Sequence, residues 1–258
     1  MSARRPVSNF HTHNYMCGHA RGTVCDYVEQ AVACGYEVIG ISDHCVPPIG
    51  SGEPYITLAT LETGYLPQFE EAERKYGDAI EIKKGVEIEF FDGHNDYYES
   101  LLDKLDYLVM GQHEFMLDGA RRSSFWEGTD DKTVCAYFDN VTRGVLSGYF
   151  ALVAHPDLIF YRSPPITPAV KAAFATLVRE CARNDVALEL NANGVRNHGS
   201  RYPTPLLTEL CKKYDAPVAV SSDCHLPSEL CDKYVIGLYD HAVNARLNVV
   251  DRLPKMRE

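Results

Sequence analysis

Short runs of β-branched and other apolar residues alternate along this chain with longer segments in which apolar residues recur every three or four positions. The short runs predict strands, and the longer segments predict helices. The predicted strands are residues 7–10, 37–41, 80–86, 107–110, 151–153, 187–190 and 218–220. The predicted helices are residues 24–34, 60–75, 97–104, 132–147, 168–184 and 205–214. Pro168 and Pro205 stand in the first turns of their helices, where proline is tolerated.

Alternation of strands with helices predicts a parallel sheet with right-handed crossovers. A length of 258 residues suits one such domain, and no internal repeat or low-complexity linker divides the chain. We therefore predict the α/β class, with a barrel-like fold of seven strands that spans residues 1–258 as a single domain. An open doubly wound sheet is the alternative, because its carboxyl edge gathers only the strands near a switch point.

A short polar motif lies at the end of each predicted strand. In chain order the motifs are His11-Thr12-His13, Ser42-Asp43-His44, Glu87-Ile88-Glu89, Gln112-His113-Glu114, His155-Pro156-Asp157, Asn191-Ala192-Asn193 and Ser222-Asp223-Cys224-His225. The carboxyl ends of all strands in a parallel barrel open onto one face, which is where such barrels place their chemistry. The motifs are therefore expected to bring imidazoles, carboxylates and amides to one rim.

Composition and charge narrow the range of partners. Hydrophobic residues make up 45% of the chain and charged residues 24%, which is typical of a globular protein. The formal charge of -11 argues against nucleic acid or an anionic membrane as a partner, because both require clustered lysine and arginine. Nine cysteines without a C-x-x-C pair predict reduced thiols. No window reaches the ~18 apolar residues of a membrane span, so we expect a cytoplasmic protein.

Seven of the ten histidines lie at or near the strand ends, together with two carboxylates. The nine candidate metal ligands are His11, His13, His19, His44, Glu87, His113, His155, Asp223 and His225. A catalytic zinc takes about three protein ligands, so this number predicts a multinuclear centre. Glu87 is the predicted bridge between two ions because it lies nearer to Gly85, which leads to the rim, although Glu89 on the same strand face competes for that role. Candidate carboxylate partners that orient the imidazoles are Asp43, Asp157 and Glu114.

Arginines beyond two of the strand ends are candidates for phosphate binding. Arg162 and Arg196 follow polar motifs, and a guanidinium group matches phosphate oxygens bidentately. Further candidates are Arg121, Arg122 and Arg201. The chain has no Walker or dinucleotide phosphate loop and no G-x-S-x-G elbow. Neither nucleotide-dependent transfer nor serine hydrolase chemistry is therefore expected.

The motifs around the candidate ligands resemble those of the PHP (polymerase and histidinol phosphatase) superfamily. The similar segments are His11-Thr12-His13 with Cys17-Gly18-His19-Ala20, Ser42-Asp43-His44, Gly85-Val86-Glu87, Gly111-Gln112-His113, His155-Pro156-Asp157 and Asp223-Cys224-His225. The element from Cys17 to Ala20, residues 188–196 and the pair Tyr202-Pro203 are similar to the histidinol-phosphatase branch. The resemblance implies a distorted (β/α)7 barrel and a centre of three divalent metal ions, which are zinc, manganese or iron.

The resemblance also implies how the ligands are shared. His11, His13, Glu87 and Asp223 would hold the first ion, Glu87 with His113 and His155 the second, and His19, His44 and His225 the third. The implied activity is metal-assisted hydrolysis of a small phosphomonoester, L-histidinol phosphate in histidine biosynthesis, with another phosphate ester or a phosphodiester as the alternative. Arg162 and Arg196 would orient the phosphate, and either Asp223 or a metal-bound water is the expected proton donor to the leaving group. The loops at residues 46–57 and 117–129 are expected to complete the pocket.

Overall fold

A computed structural model describes residues 5–49 and 55–256, so residues 50–54 of the predicted pocket loop lie outside the described residues. The strands in the described ranges are β1 Ser8–Asn9, β2 Val38–His44, β3 Glu81–Ile88, β4 Tyr107–Met110, β5 Glu114–Leu117, β6 Ala120–Ser123, β7 Leu152–Val153, β8 Ala187–Asn191, β9 Pro217–Ser221 and β10 Asn248–Val249. Eight of these strands form one parallel sheet in the order β1-β2-β3-β4-β7-β8-β9-β10. Strands β5 and β6 form a separate antiparallel hairpin.

The parallel sheet curls until its first strand meets β9. Thr12, beyond β1, pairs in parallel with Cys224, beyond β9. The His13 amide donates to the Cys224 carbonyl at 3.1 Å, and the Asp223 amide donates to the His11 carbonyl at 3.0 Å. Strand β10 pairs with the first residues of β9. Seven strands therefore close a TIM-like barrel, which confirms the predicted fold class, and the alternative of an open doubly wound sheet is wrong.

Helices connect the strands of the barrel. In the described ranges they are α1 Val24–Cys34, α2 Leu58–Thr60, α3 Leu66–Tyr76, α4 Asn95–Leu102, α5 Asp131–Ser147, α6 Pro168–Arg183, α7 Ala192–Asn197, α8 Pro205–Tyr214 and α9 Lys233–Ala245. A π-helical segment, Leu61–Tyr65, joins α2 to α3. Each predicted helix agrees with the structure to within two residues at either end. Among the described residues, no helix has the length and apolar character needed to cross a membrane.

Local sequence signals explain where several helices begin and end. Helix α1 begins with a capping box, in which Thr23 and Asp26 accept each other's backbone N–H groups, and it ends at Gly35 with a φ of 78°. The side chains of Thr167 and Thr204 cap α6 and α8, each directly before a proline in the first turn. These signals are local in the chain, which is why the sequence predicted these helices well.

The core has one part inside the barrel and another between the barrel and its helices. Phe10, Tyr107 and Val109 belong to the smaller, inner cluster. The Tyr107 hydroxyl donates to the Phe10 carbonyl at 2.9 Å. A Cβ on Gly85 would lie 2.5 Å from the Tyr107 ring, so glycine at that position makes room for the aromatic ring. The inner cluster thus fills one end of the barrel and leaves the strand carboxyl ends for polar groups.

Several elements were not predicted from the pattern of apolar residues. The hairpin turns at Asp118 and Gly119, both with positive φ, which is the Asp-Gly signal of a two-residue hairpin turn. Helix α7 contains asparagine and glycine, which have low helix propensity, and it begins at the Asn191 cap. Strand β10 has two residues, too few to give a periodic signal. Helix α9 also went unpredicted, although Asp232 caps its first turn.

Two of the nine cysteines are bonded to each other. Cys34, at the end of α1, forms a disulfide with Cys231. The other seven cysteines, all within the described part of the chain, are free thiols. The prediction that every cysteine is reduced is therefore wrong for this pair. The two half-cystines are 197 residues apart, and a contact at that separation leaves no spacing signal in a single sequence.

Candidate metal centre

The nine predicted ligands lie close together at the carboxyl ends of the barrel strands. His11 and His13 follow β1, His44 ends β2, Glu87 is in β3, His113 follows β4, His155 follows β7, Asp223 and His225 follow β9, and His19 follows the 3-10 turn Tyr15–Cys17. They surround a cavity of about 340 Å³. Seven of the nine line this cavity, whereas His11 and His13 are completely buried.

Glu87 lies at the middle of the cluster and faces five imidazoles. One of its oxygens, Oε2, is 3.0 Å from His44 Nδ1, 3.3 Å from His11 Nε2 and 3.5 Å from His13 Nε2. Its other oxygen, Oε1, is 3.0 Å from His155 Nε2 and 3.6 Å from His113 Nε2. A carboxylate with imidazoles on both oxygens has the arrangement of a ligand that bridges two ions. Glu89, the competing candidate, contacts His113 Nδ1 at 3.2 Å and therefore lies on the far side of that ring.

Three carboxylates determine which nitrogen of an imidazole carries the proton. Glu189 accepts from His11 Nδ1 at 2.9 Å, Asp43 accepts from His13 Nδ1 at 3.2 Å, and Glu89 accepts from His113 Nδ1. A proton on Nδ1 leaves the lone pair of a neutral imidazole on Nε2, which faces the centre. Of the three predicted orienting carboxylates, Asp43 has this role. Asp157 instead accepts from the Thr204 amide, and Glu114 pairs with Arg121.

The donor set at the centre fits a divalent cation. His11 Nε2 and His13 Nε2 face each other at 3.0 Å, and Asp223 Oδ1 lies 3.1 Å from His13 Nε2. When both imidazoles are neutral and carry their proton on Nδ1, these nitrogens and the nearby oxygens of Glu87 and Asp223 are all acceptors. Acceptors that converge in this way repel one another unless a positive charge lies between them. Nitrogen and oxygen donors at these positions suit zinc, manganese or iron.

The ionisation of the carboxylates in the cluster also favours a bound divalent cation. Burial opposes ionisation of Glu87 and Asp223, but the neighbouring imidazoles, His11 foremost, hold the pKa of each carboxyl well below its usual value. Burial also opposes protonation of His13, but Asp223 and Asp43 raise the pKa of this imidazole to about 9. The two carboxylates are therefore ionised at neutral pH and need positive charge beside them. Divalent ions would supply more of that charge than protons do.

The geometry matches the implied ligand sets in part. Triads whose ligand atoms lie within 4.8 Å of one another include His11 with His13 and Asp223, and His44 with Glu87 and His113. The first triad belongs to the set implied for the first ion. The second triad groups His44 with Glu87 and His113, whereas the resemblance implies that His44 binds the third ion. His44, His19 and His225 still lie together, with the His19 ring centroid 5.2 Å from His44 and 4.9 Å from His225.

Cys17 lies close to the candidate ligands, and its thiol is hydrogen-bonded within its own loop. Its thiol donates to the Asn14 carbonyl at 3.2 Å. Burial, with Asp43 nearby, raises the pKa of this thiol to about 12. Cys17 also orders the loop: its backbone amide donates to Asp43 and its carbonyl accepts from His19 Nδ1.

Two of the predicted ligands have left-handed backbone conformations. His155 has a φ of 29° and Asp223 a φ of 45°. Residues other than glycine rarely adopt such angles, and they persist where surrounding contacts hold them. Strain of this kind is concentrated at functional sites, which agrees with the position of both residues at the rim.

The predicted phosphate-binding arginines do not line the cavity. The Arg196 side chain is 6% exposed, and its Nε donates to Asp232 at 2.7 Å. Its terminal nitrogens donate to the carbonyls of Ser222, at 3.2 Å, and Glu229, at 3.1 Å. These contacts use one N–H of each guanidinium nitrogen and hold the side chain away from the cavity, so they do not support the predicted phosphate-binding role of Arg196. Arg196 braces the segment that carries Asp223.

Replacing Arg196 by leucine is expected to lower the free energy of unfolding by about 2–3 kcal/mol, because Asp232 and two carbonyls lose a charged donor. Urea denaturation would measure the change. The matched control is Arg183→Leu, because Arg183 is 64% exposed and pairs with Glu180, so little loss is expected. Unchanged stability with a raised KM for a phosphate ester would return Arg196 to the phosphate-binding role.

Arg162 lies outside the cavity wall as well. It is exposed at the end of the 3-10 helix Leu158–Arg162, with its guanidinium carbon 5.9 Å from the Trp126 ring. Among the described residues, no lysine or arginine lines the cavity. A role for Arg162 in phosphate binding stays a prediction.

The cavity wall was predicted in part from the sequence. Tyr55 and Phe125 lie in the predicted pocket loops and Asn193 in a predicted polar motif, and all three line the cavity with the seven predicted ligands. His198 and Tyr202, which also line it, were missed. Neighbouring rings in this wall contact one another, since the His198 ring is stacked on Tyr202 with centroids 5.5 Å apart. Glu189 was also missed, although a charged residue in the middle of the buried run Ala-Leu-Glu-Leu-Asn is itself a signal.

Comparisons with known proteins identify relatives over most of the chain. A family model described as PHP domain matches residues 9–193. A protein of Deinococcus radiodurans named probable histidinol-phosphatase is 24% identical over 230 residues, which cover 85% of this chain and 86% of the relative. A protein of Acetivibrio thermocellus named probable phosphatase is 27% identical over 227 residues, covering 87% and 81%. The structure of histidinol phosphate phosphatase from Lactococcus lactis, complexed with zinc, L-histidinol and phosphate, has the same fold, with a TM-score of 0.74, 16% identity and 95% coverage of both chains.

Proposed function

The chain belongs to the PHP domain family, and we propose that it is a metal-dependent phosphomonoesterase that hydrolyses L-histidinol phosphate to L-histidinol and phosphate. The observation that carries the proposal is the position of Glu87, whose two oxygens face five imidazoles from four segments of the barrel rim. The names of the Deinococcus and Lactococcus relatives support the choice of ester.

The proposed metal ligands are the nine residues predicted from the sequence. Glu87 would be shared between ions, with His11, His13 and His44 near one oxygen and His113 and His155 near the other. Asp223 joins the first group through His13, whose Nε2 lies 3.1 Å from its Oδ1. Bound divalent ions supply Lewis acid polarisation of the phosphate and lower the pKa of a water molecule. The protein holds their ligands rigidly, because most of these side chains are buried and several are fixed by carboxylates behind them.

The expected role of Asp223 as proton donor does not agree with its contacts. Its Oδ2 accepts from Asn191 at 2.9 Å and from Asn193 at 3.3 Å, and its Oδ1 faces His13. A group that accepts through both oxygens acts as a carboxylate, so we assign Asp223 to metal binding. The alcohol portion of the ester would lie against Phe125, His198 and Tyr202, whose rings form one wall of the cavity.

The test is phosphate release by the protein reconstituted with manganese or zinc, with L-histidinol phosphate compared to a panel of small phosphomonoesters. We expect a preference in kcat/KM of about 10³-fold, which corresponds to about 4 kcal/mol in the transition state. Bis(p-nitrophenyl) phosphate and p-nitrophenyl phosphate complete the panel. A flat profile would discard L-histidinol phosphate as the substrate, and faster turnover of the diester would contradict the monoesterase assignment.

A further inference from the structure

Glu189 is a carboxylate that the barrel encloses completely. It lies in the middle of β8, every residue of which is buried, and its side chain is 0% exposed. Charged side chains are rarely buried so deeply unless their oxygens are bonded. Here Oε1 accepts from His11 Nδ1 at 2.9 Å, and Oε2 accepts from the His155 amide at 2.8 Å and from Asn191 Nδ2 at 2.7 Å. Both oxygens are thus occupied by donors from the rim.

Two of these donors belong to proposed ligands, and the third, Asn191, contacts a proposed ligand on another segment. His11 follows β1, and His155 follows β7 with a strained φ of 29°. The third connection is indirect, because the Asn191 amide that donates to Glu189 also donates to Asp223 Oδ2, at 2.9 Å. One carboxylate and one amide therefore connect ligands that are 212 residues apart in the chain, from position 11 to position 223.

We propose that Glu189 and Asn191 act as a positioning pair, which sets His11, His155 and Asp223 at the spacing that metal binding needs. The inference rests on the proposed metal centre and assigns the pair no contact with substrate. Glu189 keeps the proton of His11 on Nδ1, and its bond to the His155 amide favours the left-handed backbone at that residue. Asn191 holds one oxygen of Asp223 and leaves the other free to face the centre.

The chemistry of this position requires a carboxylate. All three partners of Glu189 are donors, so both of its oxygens must accept. Glutamine has the same size, but it has one oxygen and one NH2 group. In either orientation of the side-chain amide, the NH2 group would face a donor from His11 or from His155 and Asn191. Glu189→Gln should therefore displace either the His11 ring or the His155 turn. Asn191→Ser tests the second half of the pair: serine can still cap α7 through its hydroxyl, as Asn191 does to the Gly194 amide, but it has no amide for Glu189 and Asp223.

The experiment measures Mn²⁺ binding to the full chain by competition with a chromophoric chelator, with circular dichroism as the check on folding. We expect each variant to bind Mn²⁺ 10- to 100-fold more weakly, which is the usual effect of losing a partner behind a metal ligand. Glu209→Gln is the matched control, because this carboxylate is 59% exposed and pairs with Lys171 on the surface, so its Mn²⁺ affinity should not change.

The Mn²⁺ affinities of the two variants decide whether Glu189 and Asn191 position the ligands. A folded Glu189→Gln variant with wild-type Mn²⁺ affinity and stoichiometry would overturn the proposal. If that variant does not fold, Asn191→Ser decides, and wild-type affinity there would overturn it. Failure of the proposed function would look different: the unmodified protein would bind Mn²⁺ but release no phosphate from L-histidinol phosphate, and the comparison of affinities would still be valid.

Discussion

Replacing Glu87 by glutamine is expected to abolish cooperation between the proposed metal positions and to lower kcat/KM for the phosphate ester by at least about 10³-fold, or about 4 kcal/mol. Glutamine keeps the shape of the side chain but removes its charge and one of two acceptor oxygens. The imidazoles of His44 and His155, each 3.0 Å from a different oxygen of Glu87, could then no longer share one anionic ligand.

Metal content by elemental analysis and phosphate release would be measured on the same sample. Glu114→Gln is the control, because Glu114 is next to His113 in the chain but pairs with Arg121 instead. We expect the control to retain its metal and its activity. Full metal content together with full turnover in Glu87→Gln would rule out Glu87 as a bridging ligand.

The sequence predicted the barrel and the rim because both depend on short-range patterns. Buried parallel strands such as β4 are continuous apolar runs, and a histidine or carboxylate that follows such a run must lie at the carboxyl end of the sheet. Eight of the nine ligand candidates were found in this way without any knowledge of distances, and the ninth, His19, lies on the loop that follows the first motif. Closure of the barrel through Thr12 and Cys224 places them around one cavity.

The same reasoning did not predict the contacts of Arg196, and the reason is the length of its side chain. A position beyond a strand end indicates the face of the barrel but not the direction in which a long, flexible side chain points. Arg196 lies in α7 and reaches Asp232, 36 residues later, which lies outside any local pattern. For Glu189, in contrast, the strand was predicted but the functional role was missed. The direction of its side chain and its contact with His11, 178 residues away in the chain, depend on how the barrel packs.

The substrate wall was the least predictable part of the site. Phe125 follows the unpredicted hairpin, and His198 and Tyr202 lie after the unpredicted helix α7. Loops of this kind take their path from tertiary contacts, such as the bond from the Thr204 amide to Asp157. Phe125 lies in the predicted pocket loop 117–129, but the structure was needed to show that its ring lines the cavity with His198 and Tyr202.

A single added methyl group at Gly111 is expected to inactivate the enzyme while the barrel remains folded. A Cβ at this position would lie 2.6 Å from Glu87 Cγ and would overlap Glu87 Oε1. The Glu87 side chain must rotate or shift to accommodate alanine, and a displacement of about 1 Å at a catalytic group can cost about 10²-fold in rate. We therefore expect Gly111→Ala to lower kcat/KM by at least about 10²-fold and to weaken metal binding.

Gly237→Ala is the matched control for this substitution, because a Cβ on Gly237 in α9 would have no heavy atom within 4 Å. Alanine is also a better helix former than glycine, so the control should keep its activity with equal or slightly higher thermal stability. Thermal unfolding, metal content and phosphate release would be compared for the two variants. Full activity in Gly111→Ala would mean that Glu87 can move without loss, and the rigid bridging carboxylate on which the proposed function rests would then be wrong. Loss of activity in a variant as stable as the control would instead show that the chemistry depends on the position of the Glu87 carboxylate. Glycine at position 111 leaves the space that this position requires.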